Sequence, residues 1–262
     1  MSLSAADDKL TIISIAALAD VLQDVLHEGL GHGVTAWWSG ARWVTVSTVA
    51  QQSDISSRLI AADGTLVNLV FGGVFWLLLL RPQRYSPALR YFLVLAMTGN
   101  LFTGTGYFFF SGVTGFGDWQ QVIAGQHPQW AWRLALVALG MASYYGSMLL
   151  VASKLRPFIP DDPGWRRLRG LAWLPYITDA MLSFFAGLPN PAGFFYVIAS
   201  ALPSTLGANA GLLSLPSIMR GWKRREAEAV PPIRRSAAWI AAAAVVCLVY
   251  IVVLGPGVTW RR

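Results

Sequence analysis

Asp24-Val25-Leu26-His27-Glu28-Gly29-Leu30-Gly31-His32 carries two of the chain's three histidines, with a glutamate between them. It lies inside an otherwise apolar run from about Leu10 to Trp38, longer than the roughly 20 apolar residues that a transmembrane helix needs. Ionisable side chains at membrane depth are costly and are functional candidates by default. His-Glu followed closely by a second His is also the ligand pattern of zinc hydrolases. There two imidazoles hold the metal and the glutamate is the general base on the bound water.

The spacing is unusual. Histidines four apart share a helix face, but His27 and His32 are five apart. On a regular α-helix that separates them by about 140° in azimuth, so one metal ion would not reach both. A π-bulge absorbs one extra residue, and Gly29 and Gly31 make such a distortion easier. The stretch thus reads as a five-residue zinc motif with one glycine inserted after Glu28. An undistorted helix leaves a rival set open: Asp20, Asp24 and Glu28 recur every four residues and form a polar stripe with His32. On that helix Asp24, Glu28 and His32 would be the ligands, or the stripe would serve as a proton or cation path.

Outward from this stretch, the chain of 262 residues is 55% hydrophobic and only 13% charged, against about 25% charged in soluble domains. Its mean hydropathy is +0.51. The fold expected is an all-α polytopic membrane protein, with a short strand segment between the first two helices. Seven spans are read, at about 10–38, 58–80, 89–111, 131–153, 171–188, 194–217 and 236–256. The net charge of +7 is not a nucleic-acid footprint, because the basic residues sit in short loops. Arg81, Arg84 and Arg90, then Lys154, Arg156, Arg166, Arg167 and Arg169, then Arg220 to Arg235, alternate with the loops 112–130 and 189–193, which hold no Lys or Arg. By the positive-inside rule the N-terminus is cytoplasmic, and Arg261 and Arg262 fall outside as a mild exception. Trp37, Trp38, Trp43, Trp119 and Trp130 then lie near the outer interface, and Trp165 and Trp222 near the inner one. Cys247 stands alone and allows no intrachain disulfide. No signal peptide of the usual kind is visible.

Ala41 to Val49 is β-branched and alternates in polarity, which fits one or two short strands or an amphipathic interfacial loop. Gly64 and Asn68, four apart at the head of the second span, suit close helix approach with an amide reaching across, or ordinary helix packing. The third span holds Asn100 and runs into a glycine-rich turn that delivers Asp118. That carboxylate suits an oxygen ligand to zinc, or a plain turn aspartate. His127, before Pro128, reads as a solvated loop residue, and Asp179 lies within the fifth span.

Taken together, His27-Glu28-Gly29-Leu30-Gly31-His32, the strand-like 41–49, Gly64-Thr65-Leu66-Val67-Asn68, and Asn100 through Asp118 resemble the site-2-protease-like family of intramembrane zinc metalloproteases. The elements occur in that family's order over about the first 120 residues. The departures are the inserted glycine, Thr65 in place of the usual proline, and Trp119 in place of the glycine after the aspartate. The resemblance implies a catalytic core at 1–120, with 121–262 as further helices of the same membrane domain. It implies Zn²⁺ held by His27, His32 and Asp118, Glu28 as catalytic base, and Gly64, Asn68 and Asn100 beside the substrate. A membrane protein or peptide would be cleaved within or next to the lipid bilayer, with no nucleic acid as partner, in a bacterial inner membrane. Two other function classes stay open: a transporter built on the Asp20/Asp24/Glu28 stripe, and a catalytically inactive relative that binds a membrane partner.

Overall fold

The computed structural model describes residues 6–160, 164–191, 203–220, 222 and 229–262. The first helix, α1 (Lys9–Asp24), starts on Asp8, whose Oδ1 accepts from Thr11 N at 2.8 Å and from Thr11 Oγ1 at 2.7 Å. It continues without a break through a π-helical run, Val25–Gly33, into α2 (Val34–Trp38). Two strands, β1 (Trp43–Val46) and β2 (Gln51–Ser53), lead to α3 (Arg58–Leu78), capped by Ser57 Oγ. α4 (Pro87–Thr114) begins with Ser86 as cap and proline in its first turn, and ends on Gly115 at φ 68°. Then follow the short α5 (Asp118–Val122), α6 (Gln129–Leu155), α7 (Gly164–Gly187), α8 (Gly211–Ile218) and α9 (Ala237–Val249).

Five of these rods are long and apolar enough to cross a membrane: Lys9–Trp38, Arg58–Leu78, Pro87–Thr114, Gln129–Phe158 and Ala237–Leu254. They coincide with five of the seven expected spans. The fifth expected span, 171–188, falls in α7, which is helical but carries Pro175 and Asp179 and is not among the five. The sixth, 194–217, lies in part outside the described residues, as do Lys223, Arg224 and Arg225 of the last basic loop. The outermost rods expose what a soluble protein would hide. Only 22% of the apolar stretch of Gln129–Phe158 and 11% of Ala237–Leu254 is buried, so Leu134, Met141, Val245 and Leu248 point outward. Those faces are suited to lipid.

The strand segment forms a three-stranded antiparallel sheet, in the order β2-β1-β3. Its third strand, β3 (Val258–Arg261), comes from the far end of the chain and pairs Trp43 with Arg261 and Val46 with Val258. Arg262 adds a backbone bond from its N–H to Arg42 O at 2.9 Å, and its guanidinium lies 4.4 Å from the centre of the Trp37 ring. The last membrane rod is thereby tied to the loop after the first. At the opposite end of α1, Arg167 grips Asp7 with Nε–Oδ2 at 2.8 Å and Nη2–Oδ1 at 3.0 Å, and Asp7 also accepts from Ile233 N at 2.7 Å.

The main apolar core, with Ile15, Val94, Met97, Phe102, Leu171 and Leu215, draws on α1, α4, α7 and α8, and α1 also packs along α9. Nearer the sheet, α3 approaches the π-helical run so closely that a Cβ on Gly31 would sit 2.5 Å from Gly64 Cα and 2.8 Å from Gly64 N. Only glycines permit that backbone contact. Gly31→Ala is therefore expected to push α3 away and to destabilise the protein by about 1–3 kcal/mol. Gly73→Ala, within α3 itself and with nothing within 4 Å of its added Cβ, leaves stability near wild type. Thermal melts in detergent compare the two.

Candidate metal centre

The π-helical run solves the spacing problem. Its hydrogen bonds close five residues apart, so residues at i and i+5 stack on one side. His27 and His32 accordingly converge, with Nε2–Nε2 at 3.2 Å and ring centroids 4.7 Å apart. The distortion covers nine residues, more than a single bulge. Both rings crowd against α3, where a Cβ on Gly64 would overlap His32 Nε2 and come within 2.9 Å of His27 Cε1.

The other nitrogen of each ring is fixed. His32 Nδ1 donates to Ile60 O at 2.6 Å, since a carbonyl can only accept. His27 Nδ1 lies 2.6 Å from Asn68 Oδ1, and Asn68 spends its amide N–H groups on Asn100 Oδ1 at 2.8 Å and Gln23 O at 3.3 Å. Asn68 Oδ1 is thus the acceptor and His27 Nδ1 the donor. Asn100 is held in turn by its own Nδ2 bond to Ala96 O at 2.8 Å. Both Nε2 atoms therefore face inward toward each other, and Tyr107 stacks on His27 at 5.0 Å between ring centres.

The third group comes from far along the chain. Gly117, at φ 87° and ψ −171°, turns the chain back after α4, and Asp118 opens α5. Its Oδ2 lies 3.3 Å from His27 Nε2 and 3.3 Å from His32 Nε2. Trp119, anomalous by the family pattern, packs on Phe108 at 4.6 Å between ring centres, in a cluster with Ile123 and Leu136 that pins α5 to α4 and α6. Burial pushes the Asp118 carboxyl up, but the two imidazoles together outweigh it and hold the group well below the usual carboxylate range.

Three acceptor atoms thus form a nearly equilateral triangle, with edges of 3.2, 3.3 and 3.3 Å. A cation at the centre would make such closeness favourable for all three atoms at once. Metal bonds of about 2.0–2.1 Å in tetrahedral geometry require ligand separations of about 3.3–3.4 Å. The donor set and its shape fit a metal ion, and His27, His32 and Asp118 are the group among the described residues that could hold one.

The remaining expected site residues are placed as follows. Glu28 is buried, leaves Oε2 without a partner among the described residues, and shares a wall with His32 in a cavity of about 1560 Å³. Gly64, Asn68 and Asn100 contact the imidazoles or one another. Asp24 is not in the group, and stands instead against the Tyr250 hydroxyl. His127 is exposed and apart from it. Comparison with known protein families, curated proteins and solved structures finds no match for this chain.

Two substitutions test how the ligands are positioned. Asn68→Ala removes the acceptor of His27 Nδ1–H and is expected to lower metal affinity about 10–100-fold. Gly117→Ala forces a side chain into a backbone region open essentially to glycine, at about 1–3 kcal/mol, and weakens metal binding by displacing Asp118. Metal-competition titration with a chromophoric chelator measures both.

Proposed function

We propose that this chain is an integral-membrane zinc metalloendopeptidase of the site-2-protease-like type. The observation that carries this reading is the His27–His32–Asp118 triangle, with two imidazoles and one carboxylate aimed at a common centre. Nitrogen and oxygen ligands at tetrahedral spacing, with three protein groups and room for a fourth, are the pattern of catalytic zinc. The order of elements supports it too: histidine helix, strands, a Gly64/Asn68 helix, then an aspartate after a third long helix.

A zinc ion held there would supply Lewis acidity toward a carbonyl and acidify a bound water to a pKa of about 7. The protein's own groups do the rest. Glu28 lies in the same helical run as both histidines, and its free Oε2 accepts the proton of the attacking water and returns it to the departing amine nitrogen. Asn68 and Ile60 O keep the imidazoles in the tautomer that points Nε2 inward. The 1560 Å³ cavity, walled by Glu28, His32, Gln51, Phe110 and Tyr145, is large enough for a peptide segment in extended form. Its mainly apolar lining fits a membrane protein or peptide as substrate. The basic loops support seven spans and a cytoplasmic N-terminus in a bacterial inner membrane, with the metal centre toward the outer face.

Purified protein is expected to hold one zinc per chain by elemental analysis, and His27→Ala with His32→Ala to hold none. Glu28→Gln keeps its zinc and loses peptide cleavage by about 10²–10⁴-fold. Zinc retained in the double histidine variant, or zinc lost in Glu28→Gln, would overturn this assignment.

A further inference from the structure

Asp20, Asp179 and Asn209 come from α1, α7 and the turn before α8, and their side chains meet in the core, 7%, 7% and 2% exposed. They line one small cavity of about 10 Å³, with Ala16, Leu95 and Thr98 among its walls. A space of that size takes one sphere as large as a water molecule.

The polar inventory of this cavity is lopsided. Asn209 Nδ2 donates to Asp179 Oδ2 at 3.3 Å, and the Thr98 hydroxyl donates to Val94 O at 2.7 Å. No other side-chain donor lines it. Asp20 Oδ2, Asp179 Oδ1 and Asn209 Oδ1 are left with no partner among the described residues. All three are oxygens that only accept when the acids are ionised, and two belong to carboxylates inside a membrane rod bundle. Buried acceptors in this state are costly, and buried charge without a counter-ion more so. A water molecule has two protons to give and would satisfy two of the three oxygens, leaving the charge untouched. Two carboxyls this close in a low-dielectric core share one proton, which leaves a single negative charge, and a bare monovalent cation facing all three oxygens neutralises it.

The all-oxygen set selects a hard cation. One residual negative charge matches a monovalent cation better than Ca²⁺ or Mg²⁺, and Mg²⁺ would also keep several waters for which a one-sphere cavity has no room. We propose that Asp20, Asp179 and Asn209 form a second, buried site for one dehydrated Na⁺ ion, separate from the metal centre.

The test uses the full-length, zinc-loaded protein in detergent, melted in NaCl, KCl and N-methyl-glucamine chloride at equal ionic strength. The melting temperature is expected to rise with Na⁺ by several degrees and to saturate, because the ion binds only the folded state. K⁺ and the organic cation should give little of that rise. Asp20→Asn and Asp179→Asn remove the Na⁺ response while elemental zinc stays at one per chain. Equal melting in all three salts overturns the site, and so does a full Na⁺ response in both variants. Should the variants fail to fold, calorimetric titration of wild type with NaCl decides alone: a saturable heat absent with KCl supports the site, and no Na⁺-specific heat overturns it. No readout here depends on peptide cleavage, so the proposed activity stands or falls separately.

Discussion

Two imidazoles five residues apart in one helix meet only if that helix winds more loosely than an α-helix, and the rest of this site follows from that requirement. The π-helical run Val25–Gly33 brings the Nε2 atoms to 3.2 Å and places Gly31 on the outside of the distortion, where α3 can press against it. Gly64 answers Gly31 with its own lack of a side chain, and the histidine rings lie where its Cβ would be. Backbone contact at this point sets the depth of α3. Once that depth is set, Asn68, one turn further on, is within reach of His27 Nδ1. A side chain at either glycine would move the whole second rod, and with it the group that fixes the His27 tautomer.

Burying this much polarity is tolerable because most of it is matched. A chain of bonds runs from His27 through Asn68 and Asn100 to the carbonyl of Ala96, and Asn68 also reaches Gln23 O. Each buried partner left alone would cost about 1–3 kcal/mol, so the network is close to all-or-none. Around the candidate metal centre, Glu28 Oε2 and Asp118 Oδ2 are among the buried atoms left without a partner in the described residues. Their position at or beside the 1560 Å³ cavity leaves them accessible to a group from outside.

Much of this was legible from residues alone, for definable reasons. Long apolar runs announce membrane rods regardless of tertiary detail, and the five-residue histidine spacing admits a shared metal only with a π-type distortion. Asp118 was readable because one carboxylate stands in a glycine-rich stretch without neighbouring charge. Other features depend on contacts that no local pattern encodes. β3 is four residues at the chain end, and its partner in β1 is more than two hundred residues away, with Thr45 Oγ1 and Thr259 Oγ1 at 2.7 Å. The Asn68–Asn100 bond joins two helices whose register sequence does not state. Trp119 looked like a departure because only the folded cluster with Phe108 and Leu136 reveals a large ring there as an anchor for α5. The strand segment was read as reaching Val49, whereas pairing stops at Val46 and resumes at Gln51, since Ser47 turns the chain through its bond to Ala50 O.

The acidic stripe of the first rod shows how one helix face meets the same electrostatic problem in three ways. Asp20, Asp24 and Glu28 rise one turn at a time through the bundle, each with a carboxylate oxygen that lacks a partner among the described residues. Asp24 faces a tyrosine hydroxyl, Glu28 the metal centre, and Asp20 a second carboxylate and an amide oxygen. Stability alone would not maintain this arrangement, because replacing buried charge by apolar side chains of similar volume is often neutral or favourable by about 1–4 kcal/mol. Hydrophobic substitutes are plentiful in a chain of this composition, and the surrounding positions Ala16, Ala19 and Val21 show that the helix uses them freely. Unpartnered carboxylates in such apolar surroundings are costly to bury. On this rod such groups occur at both ends of the stripe, at the metal centre and at the small oxygen-lined cavity two turns below it.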